Sequence, residues 1–458
     1  MESFDAIIVG AGQAGPSLAG RLTQAGMKVA IIERKLFGGT CVNTGCMPTK
    51  TLVASAYAAH IARRAAEYGV ALEGTVGIDM KRVHARAASI SLNARTSLES
   101  WLRGMKGCTV IQGHARFETA NTLRVADRLL SAPKIFLNVG GRAVIPDFPG
   151  VHDLPYLTNT TILQLEHVPE HLIVVGGSYV GLEFAQMFRR FGSRVTVVEK
   201  SPRIVSREDA DVSASVQQIL ENEGIAVRVR AECIRLASHA HGVEVHVSCE
   251  EGEPSVMGTD VLLAVGRRPN TDDLGLDKAA VKTDARGYIS VDDSLATNVP
   301  GIWAIGDCNG RGAFTHTAYN DFEIVAANLL DGESRRVSER IPAYALYIDP
   351  PLGRVGMTEM QARASGRKLM IGTRAMTQVG RAIEKAETQG FMKIIVDADS
   401  KHILGASILG TGGDEAIHGI VDVMNARVPY TTLQHAVPIH PTVSELIPTV
   451  LGELRPAN

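Results

Sequence analysis

One arrangement occurs twice in this chain of 458 residues, and it restricts the possible folds more than any other feature. Residues 4–33 read FDAIIVGAGQAGPSLAGRLTQAGMKVAIIE, which is an apolar run, a glycine-rich turn, a helical stretch and a second apolar run that ends in Glu33. Residues 171–199, HLIVVGGSYVGLEFAQMFRRFGSRVTVVE, repeat that order and end in Glu199. In both copies the acid follows the first glycine of the turn by 23 residues. The order predicts two strand–turn–helix–strand units and therefore an α/β fold.

The first copy has the glycine spacing of a dinucleotide-binding turn. Gly10, Gly12 and Gly15 stand at G-x-G-x-x-G spacing between the first apolar run and the helical stretch. The first glycine permits the tight turn, the second lets the backbone approach a pyrophosphate, and the third allows the helix to pack on the strand. Glu33 stands where an acid accepts a hydrogen bond from a ribose hydroxyl. The pattern therefore predicts a Rossmann-type unit that binds a dinucleotide.

The second copy predicts a second dinucleotide site, and two such sites imply an electron path between two cofactors. Gly176 and Gly181 keep their positions, but Ser178 takes the place of the middle glycine. Glu199 would accept hydrogen bonds from a free ribose 2′-hydroxyl and repel a 2′-phosphate, although an arginine such as Arg203 can bind that phosphate. We therefore expect NADH or NADPH at this site, with a preference for NADH.

Two thiols lie directly after the first copy. Residues 38–50 read GGTCVNTGCMPTK, so that Cys41 and Cys46 are five positions apart. Side chains at that spacing do not face each other on a regular helix, and a bond between them needs the irregular start of a helix. The alternatives are a redox pair beside a cofactor, a structural disulfide, half of a zinc site and two inert cysteines. The sparse cysteine content favours the redox pair.

The string GGTCVNTGCMPTK resembles the redox-active disulfide of the FAD-dependent pyridine nucleotide-disulfide oxidoreductases, which include glutathione reductase, dihydrolipoamide dehydrogenase and mercuric reductase. The resemblance implies that Cys41 and Cys46 form that disulfide, with Cys46 nearer the flavin and Cys41 attacking the substrate. It also implies that Gly39 and Thr40 bind the FAD. Electrons would pass from NAD(P)H through FAD to the disulfide.

Four other positions match the flavin site of this family. Lys50 matches a lysine beside the flavin, Glu183 matches the acid that pairs with it, and Tyr179 matches a ring that covers the nicotinamide pocket. From the residues alone, Tyr179 and Glu183 could equally be ordinary neighbours on one helix face, four positions apart. Asp307, at the end of the apolar run in TNVPGIWAIGD, matches an aspartate that binds FAD.

The C-terminal segment HAVPIHPTVSELIPTVLGEL holds a second reactive group. Glu445 follows His440 by five residues, and a proline follows His440, which permits a cis peptide bond. Cleavage of a disulfide needs a proton for the leaving thiolate, and histidine has a suitable pKa near neutrality. HPTVSE resembles the catalytic His–Glu pair that the partner subunit contributes in this family. The resemblance therefore implies a homodimer with His440 supplied across the interface.

Composition argues against several other partners. The formal net charge is −2 and the basic residues are scattered, so nothing predicts binding to nucleic acid or to an anionic membrane. The start MESFDAIIVG has no basic leader and no run of about 18 apolar residues occurs, so we expect a cytoplasmic protein. No metal site is predicted. The remaining cysteines are interpreted as packing or surface thiols: Cys108, Cys233, Cys249 and Cys308.

Turn-rich and polar segments predict the domain limits. The prediction is an FAD-binding domain over 1–150, an NAD(P)-binding domain over 151–265, a return to the FAD-binding domain over 266–335, and an α+β dimerisation domain over 336–458. Within the first of these, residues 51–105 read as two long helices and residues 108–145 as a small antiparallel sheet.

The substrate is the least defined part of the prediction. GGTCVNTGC, GGSYVGLE and HPTVSELIP resemble mercuric reductase, yet those enzymes have a C-terminal cysteine pair that hands the metal inward, and this chain has no cysteine after Cys308. Transfer of soft Hg(II) requires thiolates. We therefore expect a reductase of a small disulfide or of a soft metal ion. The alternative is dihydrolipoamide dehydrogenase, the flavoprotein subunit of a larger complex.

Overall fold

The computed structural model describes residues 1–240, 242–248 and 253–457 of the chain. Its first sheet has five parallel strands, in the order Ile302–Ala304, Ile135–Leu137, Ala6–Val9, Val29–Glu33 and Cys108–Gln112. Both faces of this sheet are covered, so its central strand is apolar throughout. Ile8 packs in one core cluster with helix residues such as Leu18, whereas Ile7 packs in another with Phe117 of an antiparallel strand.

The second glycine unit builds a second parallel sheet, with strands in the order Ala226–Arg228, Arg194–Val198, His171–Val175 and Asp260–Leu263. A three-stranded antiparallel sheet shares a buried core with it and consists of Glu232–His239, Gly242–Ser248 and Ser255–Gly258. The chain then returns to the first sheet through the strand Ile302–Ala304. The two glycine units of the sequence therefore form two separate modules, as predicted.

Helices connect and cover the strands of both modules. The longer ones are Gly15–Gln24, Gly39–Thr44, Cys46–Arg63, Met80–Gly104, Tyr179–Phe191, Ala210–Asn222 and Thr315–Leu330. The two long helices predicted over 51–105 are confirmed as Cys46–Arg63 and Met80–Gly104. The first of them begins at Cys46, inside the thiol segment, and is called the thiol helix below.

The antiparallel sheet predicted over 108–145 is only partly right. Antiparallel pairing joins Ala115–Thr119, Thr122–Val125 and Arg128–Ser131, and the short strand Glu2–Ser3 lies parallel to the last of these. Cys108–Gln112 and Ile135–Leu137 instead belong to the first parallel sheet, and Gly141–Ala143 pairs with Arg267–Pro269. Short apolar runs read alike in parallel and antiparallel sheets, so periodicity could not separate them.

The C-terminal module is a six-stranded antiparallel sheet with short helices against it. Its strand order is Ala343–Leu346, Leu352–Gly356, Ile403–Leu409, Phe391–Asp397, Leu369–Ala375 and Arg455–Pro456. Its helices are Glu359–Ala364, Gly380–Glu384, Gly413–Ala416, His418–Asn425, Thr431–Gln434 and Ile447–Gly452. Two Rossmann-type modules followed by an α+β module confirm the predicted fold class, while the predicted domain limits stay predictions. Over the described ranges, no helix has the length and apolar character to cross a membrane.

Candidate active site

The first glycine turn is shaped by close backbone approaches. Gly10 has a φ of +107°, and a Cβ at this position would lie 2.2 Å from the carbonyl oxygen of Asn138. A Cβ at Gly15 would lie 2.3 Å from the carbonyl oxygen of Gly10, so only glycine lets the helix pack on the turn. The N-cap residue, Ala14, provides no side-chain cap, which leaves the helix N-terminus open to an anion.

The second glycine turn repeats this geometry. Gly176 has a φ of +117°, and a Cβ there would lie 2.5 Å from the carbonyl oxygen of Ala264. A Cβ at Gly181 would lie 2.1 Å from the carbonyl oxygen of Gly176. Ser178 is the N-cap of the helix Tyr179–Phe191; it is exposed and makes no side-chain cap. This helix N-terminus is therefore open as well, in spite of the missing middle glycine.

The two acids occupy equivalent places in the two modules. Glu33 accepts hydrogen bonds from the backbone N–H groups of Ala11 and Lys35, at 2.9 and 2.8 Å. Glu199 accepts from the N–H groups of Gly177 and Ser201, at 2.7 and 2.8 Å. Each carboxylate is thus held at the end of its strand and against its glycine turn, which is where a ribose would lie in a dinucleotide-binding unit.

Asn138 was missed in the sequence, and it joins the first turn to the segment that carries Asp307. Its Oδ1 accepts from the N–H of Gly15 at 3.0 Å, and its Nδ2 donates to the carbonyl of Ile305 at 3.1 Å. The side chain is buried, so both bonds are formed away from water. An asparagine at the end of an otherwise apolar strand was the available signal.

The thiols lie at a break between two helices. The helix Gly39–Thr44 carries Cys41, and the thiol helix begins at Cys46 after Gly45, whose φ and ψ are −142° and −121°. A Cβ at Gly39 would lie 3.0 Å from the Cα of Gly12, so this segment packs directly on the first glycine turn. The irregular helix start expected from the sequence is therefore present, and it lies beside the first dinucleotide unit.

The interaction between the two thiols drives their pKa values apart. Hydrogen bonding from Cys41 lowers the pKa of Cys46 to about 6, against the opposing effect of burial, and the hydroxyl of Thr315 and the charge of Lys50 act in the same direction. The same bond to Cys46, together with burial, raises the pKa of Cys41 far above its ordinary value. The Thr315 Oγ1 atom lies 3.3 Å from the Cys46 Sγ. The pair is therefore one thiolate, at Cys46, and one thiol near neutrality.

Lys50 and Glu183 form the predicted pair. The Lys50 Nζ lies 2.7 Å from the Glu183 Oε2, and the Glu183 side chain is only 6% exposed. The other carboxylate oxygen accepts from the backbone N–H of Tyr347 at 3.0 Å, and the Lys50 Nζ lies 4.6 Å from the centre of the Tyr347 ring. Tyr347, which the sequence did not indicate, thus brings the C-terminal module into contact with this pair.

Tyr179 is held by a buried carboxylate. Its hydroxyl donates to the Glu208 Oε1 at 2.8 Å, and the hydroxyl of Tyr344 donates to the same oxygen at 2.7 Å. The rings of Tyr179 and Tyr344 meet edge to face, with centroids 5.6 Å apart. Burial, followed by the negative charge of Glu208, raises the pKa of Tyr179 far above its usual range. Glu208 and Tyr344 were not predicted, because they lie far from Tyr179 in the sequence.

Asp307 lies at the start of a short 3-10 turn, Asp307–Asn309, after Gly306. Burial raises the pKa of its carboxyl, and the guanidinium of Arg267, 3.7 Å away, opposes that rise. Asp321 positions the turn, since its Oδ2 accepts from the N–H of Gly306 and from the Nδ2 of Asn309, both at 2.8 Å. The predicted FAD contact of Asp307 stays a prediction.

His440 and Glu445 lie together, but away from the thiols. The His440 Nδ1 is 2.9 Å from the Glu445 Oε2, and the His440–Pro441 peptide bond is cis. The imidazole is 80% exposed, and no hydrogen bond or ion pair joins it to Cys41 or Cys46. Within one chain, the structure therefore forms the His–Glu pair without bringing it to the dithiol.

Other cysteines and metal ligands complete the inventory. Cys308 is fully buried, and Cys108 is half-buried. Cys249 lies outside the described residues, and the side chain of Cys233 is not described. In the part of the chain that the structure describes, no group of three or more His, Cys, Asp or Glu residues is arranged to hold a metal ion.

Comparison with protein families gives two matches that together span most of the chain. Residues 4–321 match the model of the pyridine nucleotide-disulphide oxidoreductases. Residues 342–451 match the dimerisation domain of the pyridine nucleotide-disulphide oxidoreductases. The first match contains both glycine turns and the thiols, and the second contains His440 and Glu445.

Individual relatives are similar over their whole length. A probable pyridine nucleotide-disulfide oxidoreductase of Escherichia coli, RclA, is 36% identical over 97% of this chain and 98% of its own. The mercuric reductase of Streptomyces lividans is 31% identical over 94% of each chain, and the dihydrolipoyl dehydrogenase of Thermus scotoductus is 31% identical over 97% of this chain and 96% of its own. The two enzyme types are thus equally similar to this sequence.

Solved structures agree with the sequence comparison. The Cu(II) complex of the HOCl-induced flavoprotein disulfide reductase RclA from Escherichia coli superposes with a TM-score of 0.90, at 35% identity, over 99% of both chains. A second structure, of the HOCl-induced flavoprotein disulfide reductase RclA from Escherichia coli, gives a TM-score of 0.89, over 98% of this chain and 99% of the other.

Proposed function

The chain belongs to the pyridine nucleotide-disulphide oxidoreductase family, and from this premise we propose that it reduces a small disulfide or a soft metal ion through a dithiol–disulfide cycle of Cys41 and Cys46. The family is FAD-dependent and uses NAD(P)H, so the chain is an NAD(P)H-dependent flavoprotein. The observation that carries the proposal is the segment with two thiols at a break between two helices, which packs against the first glycine turn through Gly39.

The residues of the first module fit FAD. The open helix N-terminus after Gly10 and Gly15 suits a pyrophosphate, and the carboxylate of Glu33 suits a ribose. We propose that Gly12, Gly39, Thr40 and Asp307 complete this site. When bound, FAD and NAD(P)H supply the electron pair that reduces the Cys41–Cys46 disulfide.

The residues of the second module fit a nicotinamide dinucleotide. We propose that Gly176, Ser178 and Gly181 receive the pyrophosphate and that Glu199 binds the ribose. Arg203 donates to the backbone carbonyls of Ser206 and Glu208, at 3.4 and 3.2 Å, so its guanidinium is engaged inside the protein. This engagement, together with the carboxylate of Glu199, supports NADH over NADPH.

We assign different roles to the two thiols. The lower pKa of Cys46 suits a thiolate that faces the flavin, stabilised by Thr315 and by Lys50, whose charge Glu183 holds in place. Cys41 gives its proton to a base and attacks one sulfur of a disulfide substrate, and the other sulfur takes that proton and leaves as a thiol. Cys46 then attacks Cys41 and restores the Cys41–Cys46 disulfide, and the second sulfur leaves as a thiolate that takes a proton from solvent.

The leaving thiolate needs a proton, and we propose that His440 of a second copy of the chain delivers it. The Glu445 carboxylate orients the ring and stabilises its charged form. In a single chain the imidazole is exposed on a segment that also exposes Val437 and Ile439, by 97% and 80%. An exposed apolar segment in a dimerisation domain supports burial against a partner subunit.

A metal-ion substrate would use the same dithiol. Two Cu(II) ions would take one electron each, while the Cys46 thiolate and the Cys41 thiol lose two electrons and the Cys41 proton and form their disulfide. The Cu(II) complex of the similar reductase supports this ion as the first to test. Soft Hg(II) is the second, because mercuric reductases are among the relatives.

A substrate panel with a matched variant tests the proposal. The FAD-loaded protein is assayed with NADH against oxidised glutathione, cystine, lipoamide, Cu(II) and Hg(II). We expect turnover of at least one, and Cys41→Ser should abolish it while NADH still reduces the flavin. Cys108→Ser, at a half-buried thiol outside the site, serves as the control. Full turnover by Cys41→Ser would contradict the dithiol cycle.

Dihydrolipoamide dehydrogenase is the second candidate function. It is favoured by the dihydrolipoyl dehydrogenases among the relatives, one of them 32% identical over 97% of this chain and 96% of its own. Rapid reduction of NAD⁺ by dihydrolipoamide, with little turnover of the other substrates, would establish this function in place of the first.

A further inference from the structure

The buried carboxylate of Glu208 stands between the second module and the C-terminal module. Its side chain is fully buried. In the chain, Glu208 comes after the strand–turn–helix–strand unit of the second module. Among the described residues its one ion pair is with Arg354, on the strand Leu352–Gly356, where the Nε–Oε2 distance is 3.6 Å. No nitrogen of that guanidinium makes a hydrogen bond to a described residue. Arg354 therefore balances the charge of Glu208 without fixing the direction of its carboxylate.

Two phenols fix that direction instead. Tyr179 and Tyr344 both donate to the Glu208 Oε1, at 2.8 and 2.7 Å, while the Oε2 has no hydrogen-bond donor among the described residues. Two donors that share one oxygen compete for it, so each bond is weaker than it would be alone. The strength of the bond to Tyr179 thus depends on a tyrosine of the C-terminal module.

The position of Tyr179 connects this arrangement to the redox site. Tyr179 is the first residue of the helix Tyr179–Phe191, directly after the second glycine turn. Glu183 lies four residues later on the same face, and it reaches Lys50 on the thiol helix. Tyr344 and Tyr347, three residues apart, therefore contact the two functional positions of one helix.

We propose that Glu208 and Tyr344 are positioning residues for Tyr179, and that they set how readily the nicotinamide displaces the Tyr179 ring. This inference rests on the proposed function, in which that ring covers the nicotinamide pocket. A ring that is held more firmly costs more to displace, so nicotinamide binding weakens as the Tyr179–Glu208 bond strengthens. The C-terminal module thereby acts on the first electron-transfer step as well as on the proton transfer at the thiols.

Single hydroxyl deletions test the proposal, because Tyr→Phe keeps the ring and its packing. The FAD-loaded protein is mixed anaerobically with NADH, and the dissociation constant and the limiting rate of flavin reduction are measured separately. Tyr179→Phe releases the ring and should lower the dissociation constant for NADH by about 3- to 10-fold, the range that one net hydrogen bond corresponds to. Tyr344→Phe removes the competing donor and should raise the constant by a similar factor.

The double variant separates positioning from a general structural effect. Once the Tyr179 hydroxyl is gone, Tyr344→Phe should add nothing, so the double variant should behave like Tyr179→Phe. Tyr430→Phe, in the core of the same module, is the matched control and should change neither parameter. We avoid variants of Glu208, since they would leave Arg354 as an unpaired buried charge.

The outcomes distinguish this inference from the proposed function. Shifts of the same sign in both single variants, or a Tyr344→Phe effect that persists in the Tyr179→Phe background, would overturn the positioning role. Reduction with dithionite bypasses the nicotinamide, so the dithiol–flavin relay can be followed in every variant. If dithionite leaves the wild-type thiols oxidised, the proposed function fails, whatever the NADH binding shows.

Discussion

At the scale of single residues, the chemistry depends on the difference between two neighbouring thiols. Cys46 is stabilised as a thiolate by three donors of hydrogen bonds or positive charge: the Cys41 thiol, the Thr315 hydroxyl and the Lys50 ammonium. The same hydrogen bond, burial and the negative charge of Cys46 raise the pKa of Cys41, so Cys41 keeps its proton until a base removes it for the attack on the substrate.

The pKa of Cys46 predicts a pH dependence for the reduced protein. A thiolate exists above its pKa, so the long-wavelength absorbance of a thiolate beside the flavin should be constant above about pH 7 and disappear as the pH falls through about 6. A titration of the two-electron-reduced protein between about pH 5 and 9 measures this. The upper end of that range includes the ordinary pKa of a cysteine. A midpoint near 8.5 would contradict the proposed environment of Cys46.

Thr315 offers a conservative test of the same environment. Thr315→Val removes the hydroxyl that lies 3.3 Å from the Cys46 Sγ and keeps the side-chain shape. The midpoint of the titration should rise by about one to two units, since a hydrogen bond to a charged group contributes roughly 1.5–3 kcal/mol and one unit corresponds to about 1.4 kcal/mol. Thr122→Val, on an antiparallel strand of the first module, is the control and should leave the midpoint unchanged.

At the scale of elements, the proposed function assigns a separate dinucleotide to each glycine turn. Gly181→Ala would place a Cβ 2.1 Å from the carbonyl oxygen of Gly176 and push the helix away from the second turn. We expect NADH binding to be lost while FAD stays bound, because the first turn is untouched. The flavin content after purification and an NADH titration measure the two effects. Gly104→Ala, where a Cβ would meet nothing within 4 Å, should change neither.

The helix Tyr179–Phe191 and the thiol helix are joined by a partly buried ion pair between Glu183 and Lys50. Glu183→Ala removes a carboxylate that serves both Lys50 and the backbone of Tyr347, and we expect a loss of about 1–3 kcal/mol in stability. Glu99→Ala breaks the exposed pair with Arg103 on one helix and should cost no more than about 0.5 kcal/mol. Melting temperatures of the two variants give the comparison, and equal shifts would mean that the Glu183 pair is no more than a surface contact.

The features that could be predicted from the sequence are those that depend on a few neighbouring residues. The glycine turns, the acids Glu33 and Glu199, and the break between Cys41 and Cys46 all follow from the backbone needs of a few consecutive residues. The Lys50–Glu183 pair was reached only through the resemblance to the family. The strands Cys108–Gln112 and Ile135–Leu137 were assigned to the wrong sheet, because a short apolar run does not show which strands it will pair with.

The residues that were missed all act across long distances in the chain. Asn138 bonds Gly15, 123 residues before it, and Ile305, 167 residues after it, and Glu208 joins tyrosines from two modules. Their residue types carry no local motif, and each is explained only by the partner that the fold brings to it. Buried polar residues of this kind become recognisable when their hydrogen bonds can be counted.

At the scale of the whole molecule, the proposed proton transfer by His440 depends on a second copy of the chain. Complementation tests this directly. Cys41→Ser retains His440, and His440→Ala retains the thiols, so both homodimers should be inactive while a mixed dimer has one complete site. Co-expression should restore about a quarter of wild-type disulfide reduction if subunits of a two-fold dimer assort at random. No restored activity would mean that His440 does not act across the interface.

The exposed segment that carries His440 should be buried in that dimer. Ile439→Lys places a charge on a side chain that is 80% exposed in the single chain, and we expect a shift from dimer to monomer by size-exclusion chromatography. Disulfide reduction should fall with the dimer, whereas flavin reduction by NADH should persist. Met257→Lys, at an exposed position of the second module, is the matched control and should stay dimeric.

The central claim is that electrons reach the Cys41–Cys46 pair from the flavin, and an anaerobic titration of the FAD-loaded protein with NADH tests it most directly. The flavin spectrum and the number of free thiols are followed together, first with NADH and then with NADPH. We expect two new thiols and a long-wavelength band after one equivalent, with NADH the better reductant. Bleaching of the flavin without new thiols would contradict the claim and place Cys41 and Cys46 outside the electron path.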